Sequence, residues 1–487
     1  MLEKIKTLSK DTLIYGTNTI IGRFLGFFLV PFYTNRFIPE EYGIIAIIYA
    51  YIAMLNVFFS IGLESGYMKF SSTLEVGNQK ENFSNPFLLL LSNSLVLSAL
   101  LYFLADPLTY VFQIDLKYAI LIRYTAFILF FDAIVLIQFA YLRLHNKAKT
   151  FVLIKISNIV INVFLNIILI SYFDMGIEAV FISNLIASVI TFLMLIPVLS
   201  KNLTFSINKD LIKQILKFSI PIIPAGIAAN IIQTISRPIL KYITDDSVVG
   251  IYQASFRLGI LMMLIVSMFE FAWRPFFLNN AKDPDAKRIF SKVLTLFIIF
   301  TSLIFLVASV FIEDIVKVKL PSDIYLIGKA YWGGLNIVPI ILFSYLLYGV
   351  YINFMAGIYI EKKTKYLPLI TGAGALANIF FNFILIPKYS YTGAAVATLI
   401  SYFIMMLGIY FISQKYYPVR YEYKKIGIIF LILGVITALY YFLMTMVSIP
   451  WYLKILFPLC FILLIISLKI INVDSLKELV KNKSKLS

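Results

Sequence analysis

The chain has 487 residues, 61% of them hydrophobic and 14% charged, with a formal net charge of +17. Soluble globular chains are about one-quarter charged, so this composition excludes a soluble fold. The basic residues collect between apolar runs, with no basic stripe interleaved with aromatics, which excludes nucleic acid as the partner; one cysteine, Cys460, and one histidine, His145, exclude a disulfide framework and a metal cluster.

A helix needs about 20 apolar residues to cross a bilayer. Runs of that kind fall at 12–33, 42–66, 84–105, 118–141, 150–172, 175–197, 218–240, 248–272, 290–312, 330–356, 366–386, 391–412, 426–447 and 451–470. Each run is continuous and does not alternate, which speaks against a β-barrel. The first contains Pro31 and has no small-residue cleavage signature after it, so it reads as a span and not as a removable leader. The expected fold is an all-α polytopic membrane protein with 14 transmembrane helices. No loop is long enough to hold a soluble catalytic domain.

Charge counting tests this map. With the N-terminus inside, 28 of the 42 basic residues fall in inner segments and only 7 in outer loops. That bias is the positive-inside pattern, and it places both termini in the cytoplasm.

The spans also repeat. Asn162-Val-Phe-Leu-Asn166-Ile-Ile-Leu-Ile170 resembles Asn378-Ile-Phe-Phe-Asn382-Phe-Ile-Leu-Ile386, and each is followed by a glycine, Gly176 or Gly393. A second echo joins Phe37-Ile38-Pro39-Glu40-Glu41-Tyr42-Gly43-Ile44 to Tyr242-Ile243-Thr244-Asp245-Asp246 and Gly250-Ile251. Spans 1–6 and 7–12 therefore read as two parallel six-helix bundles around a central cavity, a symmetry that transporters use. The expected division is 1–198 for the first bundle, 199–217 for a cytoplasmic linker, 218–413 for the second bundle, and 414–487 for two further helices and a basic tail.

Several charges lie inside spans. Lys155 and Lys454 sit near span ends, where they can snorkel, and Arg123 is about two turns from one. Arg23 lies midway along the first span between Gly22 and Gly26. Arg237 and Arg257 lie in the outer half of the seventh and eighth spans, and Pro221, Pro224 and Pro238 mark the seventh as bent or broken. A central arginine costs roughly 2.5–3.5 kcal/mol on the insertion scale, which is tolerable when it faces a hydrated cavity. Arg23, Arg237 and Arg257 are thus the candidate substrate-binding cavity residues.

Glu64 and Glu270 occupy nearly equivalent inner positions in the two halves. Lys69 follows Glu64, and Arg274 follows Glu270 by one helical turn. The four are candidates for an inner gate or for ion coupling, with Na⁺ or H⁺ as the ion and nothing in the sequence to choose between them. Asn158, Asn162 and Asn166, with Asn378 and Asn382 in the second half, read as a structural ladder of interhelical hydrogen bonds.

No phosphate loop, metal motif or nucleophile–base set is present, so no catalytic residue and no tightly bound cofactor is expected. A cavity positive in its outer half suits an amphiphilic anion, because arginine favours phosphate oxygens.

The opening segment, Gly22-Arg23 and Tyr33-Thr34-Asn35-Arg36-Phe37-Ile38-Pro39-Glu40-Glu41-Tyr42-Gly43, resembles the start of Wzx-type polysaccharide flippases of the multidrug/oligosaccharidyl-lipid/polysaccharide exporter superfamily. Val249-Gly250-Ile251-Tyr252-Gln253-Ala254 and Trp273-Arg274-Pro275-Phe276 look like the second-half counterpart. The resemblance implies a V-shaped cavity lined mainly by helices 1, 2, 7 and 8. It also implies that Arg23, Arg237 and Arg257 meet a lipid-linked diphosphate or acidic sugars. The expected activity is alternating-access transfer of a polyprenyl-diphosphate-linked oligosaccharide across the plasma membrane, by a monomer working beside the glycosyltransferases and polymerase of its pathway. The rivals are a drug or cation exporter of the same fold and a membrane polysaccharide polymerase or ligase.

Overall fold

The computed structural model describes residues 29–319 and 324–470. The described residues are helical throughout, apart from short connections and a single bridge between Lys319 and Tyr325. Among them, eleven helical stretches are long and apolar enough to cross a membrane, and Trp451–Ser467 adds a shorter apolar one. Lipid offers no partner for a free N–H or C=O, so a chain this apolar satisfies its backbone within each helix.

Two compact units emerge. One holds the described residues through Arg257 together with Ile327–Gly334 and Leu367–Ser401; the other holds Leu258–Leu326, Leu335–Tyr366 and the described residues from Tyr402 onward.

The first unit begins with α1, described over residues 29–36, and α2, Pro39–Ser60. Pro39 opens α2 at its first turn, where its missing N–H costs nothing. Ile61 (φ 44°) and Gly62 (φ 63°) then break the span before α3, Leu63–Thr73. α4 (Gln79–Phe103) starts at a capping box: the Asn78 side chain accepts from the Glu81 N–H, and the Glu81 carboxylate accepts from the Asn78 N–H. α5 (Ala105–Phe112), α6 (Ala119–Ile134) and α7 (Leu136–Leu144) follow, then α8 (Ala148–Ser171) and α9 (Glu178–Asn202). α4 packs on α6, and α8 and α6 both pack on α9.

α10, Lys209–Ser219, lies in the expected linker. Leu211 and Ile215 are fully buried against Leu63, Tyr67, Phe70 and Phe83, while Lys209, Lys213 and Lys217 are exposed. The segment before it is sewn to α4. Ser206 Oγ donates to Glu81 Oε1 at 2.8 Å, Asn208 N–H to Asn85 Oδ1 at 3.0 Å, and Thr204 N–H to Ser84 Oγ at 2.8 Å.

The seventh predicted span is indeed broken. A 3₁₀ turn at Ile220–Ile222 carries Pro221, α11 covers Ile223–Thr234, and α12 covers Ser236–Ile243. α13 (Asp246–Asn279) passes from the first unit into the second.

In the second unit α14 (Ala286–Val316) packs on α15 (Val338–Ile360) and α17 (Tyr423–Met446), and α18 (Trp451–Lys454) and α19 (Leu456–Ser467) pack on α14. α16, Leu367–Tyr416, covers two predicted spans, separated at Ser390, whose φ of 49° is non-helical. Lys454 does not snorkel: it is 3% exposed and donates to Asp314 Oδ2 at 2.6 Å. A groove of about 560 Å³ in this unit is lined by apolar side chains, Phe305, Phe343 and Phe430 among them.

Candidate functional site

The polar groups of the first unit converge on the facing sides of α2, α12 and α13. α12 carries Arg237 where Pro238 has already interrupted the helix. Arg237 is 8% exposed, donates through Nε to Gln253 Oε1 at 2.5 Å and through Nη1 to the Gln233 carbonyl at 2.8 Å, and lies 4.9 Å from the centre of the Phe256 ring. Gln253 and Phe256 are both on α13, so the guanidinium is framed by one amide and one aromatic face. Gln253 also lies against the Tyr42 hydroxyl of α2.

Arg257 follows Gln253 by one turn of α13. It is half-buried, and no hydrogen bond or ion pair to it is present among the described residues. Its guanidinium is close enough to the hydroxyls of Tyr33, Tyr42 and Tyr49 to act on all three electrostatically. Two of these hydroxyls are already engaged: Tyr33 donates to Asn166 Oδ1 at 2.7 Å, and Tyr49 accepts from Asn184 Nδ2 at 3.0 Å. The result is a pair of arginines among tyrosines and amides, and Arg257 has no carboxylate paired to it among the described residues. A site of that composition suits an anion with rings or hydroxyls to stack and bond.

Arg23, the third predicted cavity arginine, lies outside the described residues. The asparagine ladder joins helices at two equivalent places. Asn166 donates to Asn162 and accepts from Tyr33, and Asn158 donates to Thr191 of α9 at 2.8 Å. Asn382 donates to Asn378 Oδ1 at 2.8 Å and to Ser236 Oγ of α12 at 3.2 Å.

The two glutamates differ in their partners. Glu270 pairs with Arg274 at 3.0 Å along one face of α13. Glu64 pairs with Arg143 of α7, and not with Lys69, whose ammonium lies 4.8 Å from the ring centres of both Phe70 and Phe218. Lys69 can reach that aromatic pair because α10 brings Phe218 back over α3.

Tyr33, Tyr42 and Gln253 lie in the segments that carry the family resemblance but were not singled out as site residues, and Tyr49 carried no signal of its own. Asp132 is different. It accepts from Ser188 Oγ at 2.7 Å inside the bundle, and a lone carboxylate in an apolar span is a signal in itself.

A family profile described as polysaccharide biosynthesis protein matches residues 36–323. The chain belongs to that family. This family member has the fold of the Lipid II flippase MurJ in its inward closed conformation, with 19% identity, a TM-score of 0.72, and coverage of 94% of this chain and 98% of that one. It also resembles an inward-facing multidrug resistance MATE family transporter of the MOP superfamily, at 13% identity and a TM-score of 0.61 over 81% of this chain and 94% of that one. A variant of the Vibrio cholerae MATE transporter VcmN aligns at 15% identity and a TM-score of 0.61, over 84% of this chain and 97% of that one. No curated protein matches the sequence.

Proposed function

We propose that the protein is a flippase that moves a lipid-diphosphate-linked oligosaccharide, the repeat unit of a surface polysaccharide, from the inner to the outer leaflet of the plasma membrane. The observation that carries this reading is the Arg237–Arg257 cluster: two arginines in membrane-spanning helices, one of them without a bonded partner among the described residues, and both framed by tyrosines and amides. A diphosphate supplies the counter-charge that Arg257 lacks, and sugar rings and hydroxyls suit Tyr33, Tyr42, Tyr49 and Asn184. The polysaccharide family and the flippase-like fold support the same substrate class.

On this reading the halves 1–198 and 218–413 rock against one another, the termini lie inside, and the protein works as a monomer, without chemistry of its own, beside the enzymes that build and polymerise the repeat. A cation exporter of the same fold would need a carboxylate where this cluster has arginine.

The test is leaflet transfer of a fluorescent polyprenyl-diphosphate oligosaccharide in proteoliposomes, read by a membrane-impermeant quencher. Arg257→Ala is expected to slow transfer at least about tenfold, the factor worth 1.4 kcal/mol of lost charge-assisted bonding, with Arg257→Lys intermediate. Transfer unchanged in Arg257→Ala, or organic-cation export with no lipid transfer, overturns the reading.

A further inference from the structure

At the end of the first unit that the charge bias places outside, α2 and α13 cross at a pair of glycines. Gly43 in α2 lies against the backbone carbonyl of Asp246, and Gly250 in α13 lies against the backbone carbonyl of Pro39. Each glycine follows its own helix's contacted residue by four positions, so the two contacts are reciprocal and exchange when the helices are swapped. A Cβ at either position would overlap the opposite backbone. Only Cα hydrogens fit there, the arrangement in which Cα–H···O=C contacts form between closely packed membrane helices.

The segment before α15 closes over the same place. Gly328 lies against the Thr34 carbonyl and donates its N–H to Thr34 Oγ1 at 3.2 Å. The Tyr331 hydroxyl donates to the Phe37 carbonyl at 2.8 Å, and its ring meets Tyr42 edge-on at 5.9 Å. One ion pair, Lys241–Asp246 at 2.6 Å, flanks the crossing.

The crossing is tied directly to the anion cluster. Tyr42 precedes Gly43 on α2, and Gln253 stands one turn past Gly250 on α13. Gln253 holds Arg237 and touches Tyr42, so one amide links both crossing helices to the arginine.

We propose that the Gly43–Gly250 crossing is the outer gate of the transporter and that Gln253 is its latch, released when an anionic headgroup takes Arg237 from it. This rests on the transport reading above. A phosphate oxygen outcompetes a neutral amide oxygen for a guanidinium, because bonds between two ionised groups are roughly twice as strong. Losing Arg237 frees Gln253 from the α12 side of the crossing. The glycine contacts themselves are all-or-none, since two backbones at contact distance have no side chain to stretch.

The test needs no substrate, so it is independent of the transfer assay. In the full chain with Cys460→Ser, spin labels replace Ile38 and Tyr242, both exposed near the crossing, and their distance distribution is measured in lipid nanodiscs. Gly43→Ala and Gly250→Ala are each expected to raise the longer-distance population by at least about threefold and by similar amounts, with the double variant little different from either. Arg237→Ala is expected to shift it in the same direction. Tyr331→Phe keeps every steric contact and should give a smaller shift of the same sign, which keeps the test available if an alanine variant does not fold. Gly372→Ala, where an added Cβ meets nothing within 4 Å, is the control and should match the parent. Parent-like distances in Gly43→Ala, Gly250→Ala and Tyr331→Phe overturn the gate, and a parent-like distribution in Arg237→Ala alone overturns the latch.

Discussion

The Gly43 end of α2 is held by backbone pressed on backbone, and the Glu64 end by charged and polar side chains. Gly43 and Gly250 leave no room for a Cβ, whereas Glu64 and Arg143 face each other with both side chains more than a third exposed. The glycine crossing is short-ranged and unscreened, so it is either made or lost. The ion pair is soft: it lengthens, exchanges with water and weakens in salt. A membrane protein can thus use one kind of contact as a switch and the other as an elastic tether.

Four measurements break or sharpen this contrast. Gly43→Ala or Gly250→Ala overpacks the crossing and is expected to cost about 1–3 kcal/mol in thermal unfolding, unaffected by salt. Glu64→Gln is expected to cost only about 0.2–1 kcal/mol, and the difference from the parent should vanish in high salt; a salt-independent loss would place Glu64 with the rigid contacts instead. Glu270→Gln removes a pair within a single helix and should cost about 0.3–0.5 kcal/mol, with no change in helix packing measured by cross-linking. The smallest effect at neutral pH concerns Glu81. Hydrogen bonds from Ser206, the Asn78 N–H and Asn208 hold its carboxyl below the usual glutamate range. Its contribution is therefore fully present above the unfolded-state value of about 4.3 and is lost as pH falls below that toward the lower folded-state value. Hydrogen exchange across 203–211 should be flat from pH 8 to 5, once corrected for intrinsic rates, and accelerate only in acid. Acceleration between pH 8 and 5 would exclude Glu81 as the group that clamps the linker.

The sequence carried the local features well. Apolar runs mark the spans because lipid leaves a continuous helix as the only cheap backbone. Pro221 marks the break between α10 and α11, and Glu270–Arg274 is readable because partners four apart share a helix face. Non-local features were not legible. Nothing near Glu64 points to Arg143, and the nearer base, Lys69, is drawn instead to two aromatic rings. Gln253 becomes a hub only because α2, α12 and α13 meet at it. The glycines near the start of α2 and α13 were visible as an echo, but their mutual contact depends on packing that no single-helix pattern encodes. Arg23 lies outside the described residues, so the cluster rests on Arg237 and Arg257.

Lys454 and Asp314 form their ion pair across 140 residues of chain. During synthesis the acid emerges long before the base, and an ammonium only 3% exposed cannot rest in lipid unaccompanied. Docking of α18 therefore waits for α14 to be in place, and Asp314 stays hydrated until α18 arrives. A misthreaded or prematurely released chain would present an unmatched charge at the bilayer, a feature that quality-control proteases can recognise. The pair thus sets α14 and α18 a shared condition: neither charge is matched until both helices are in place.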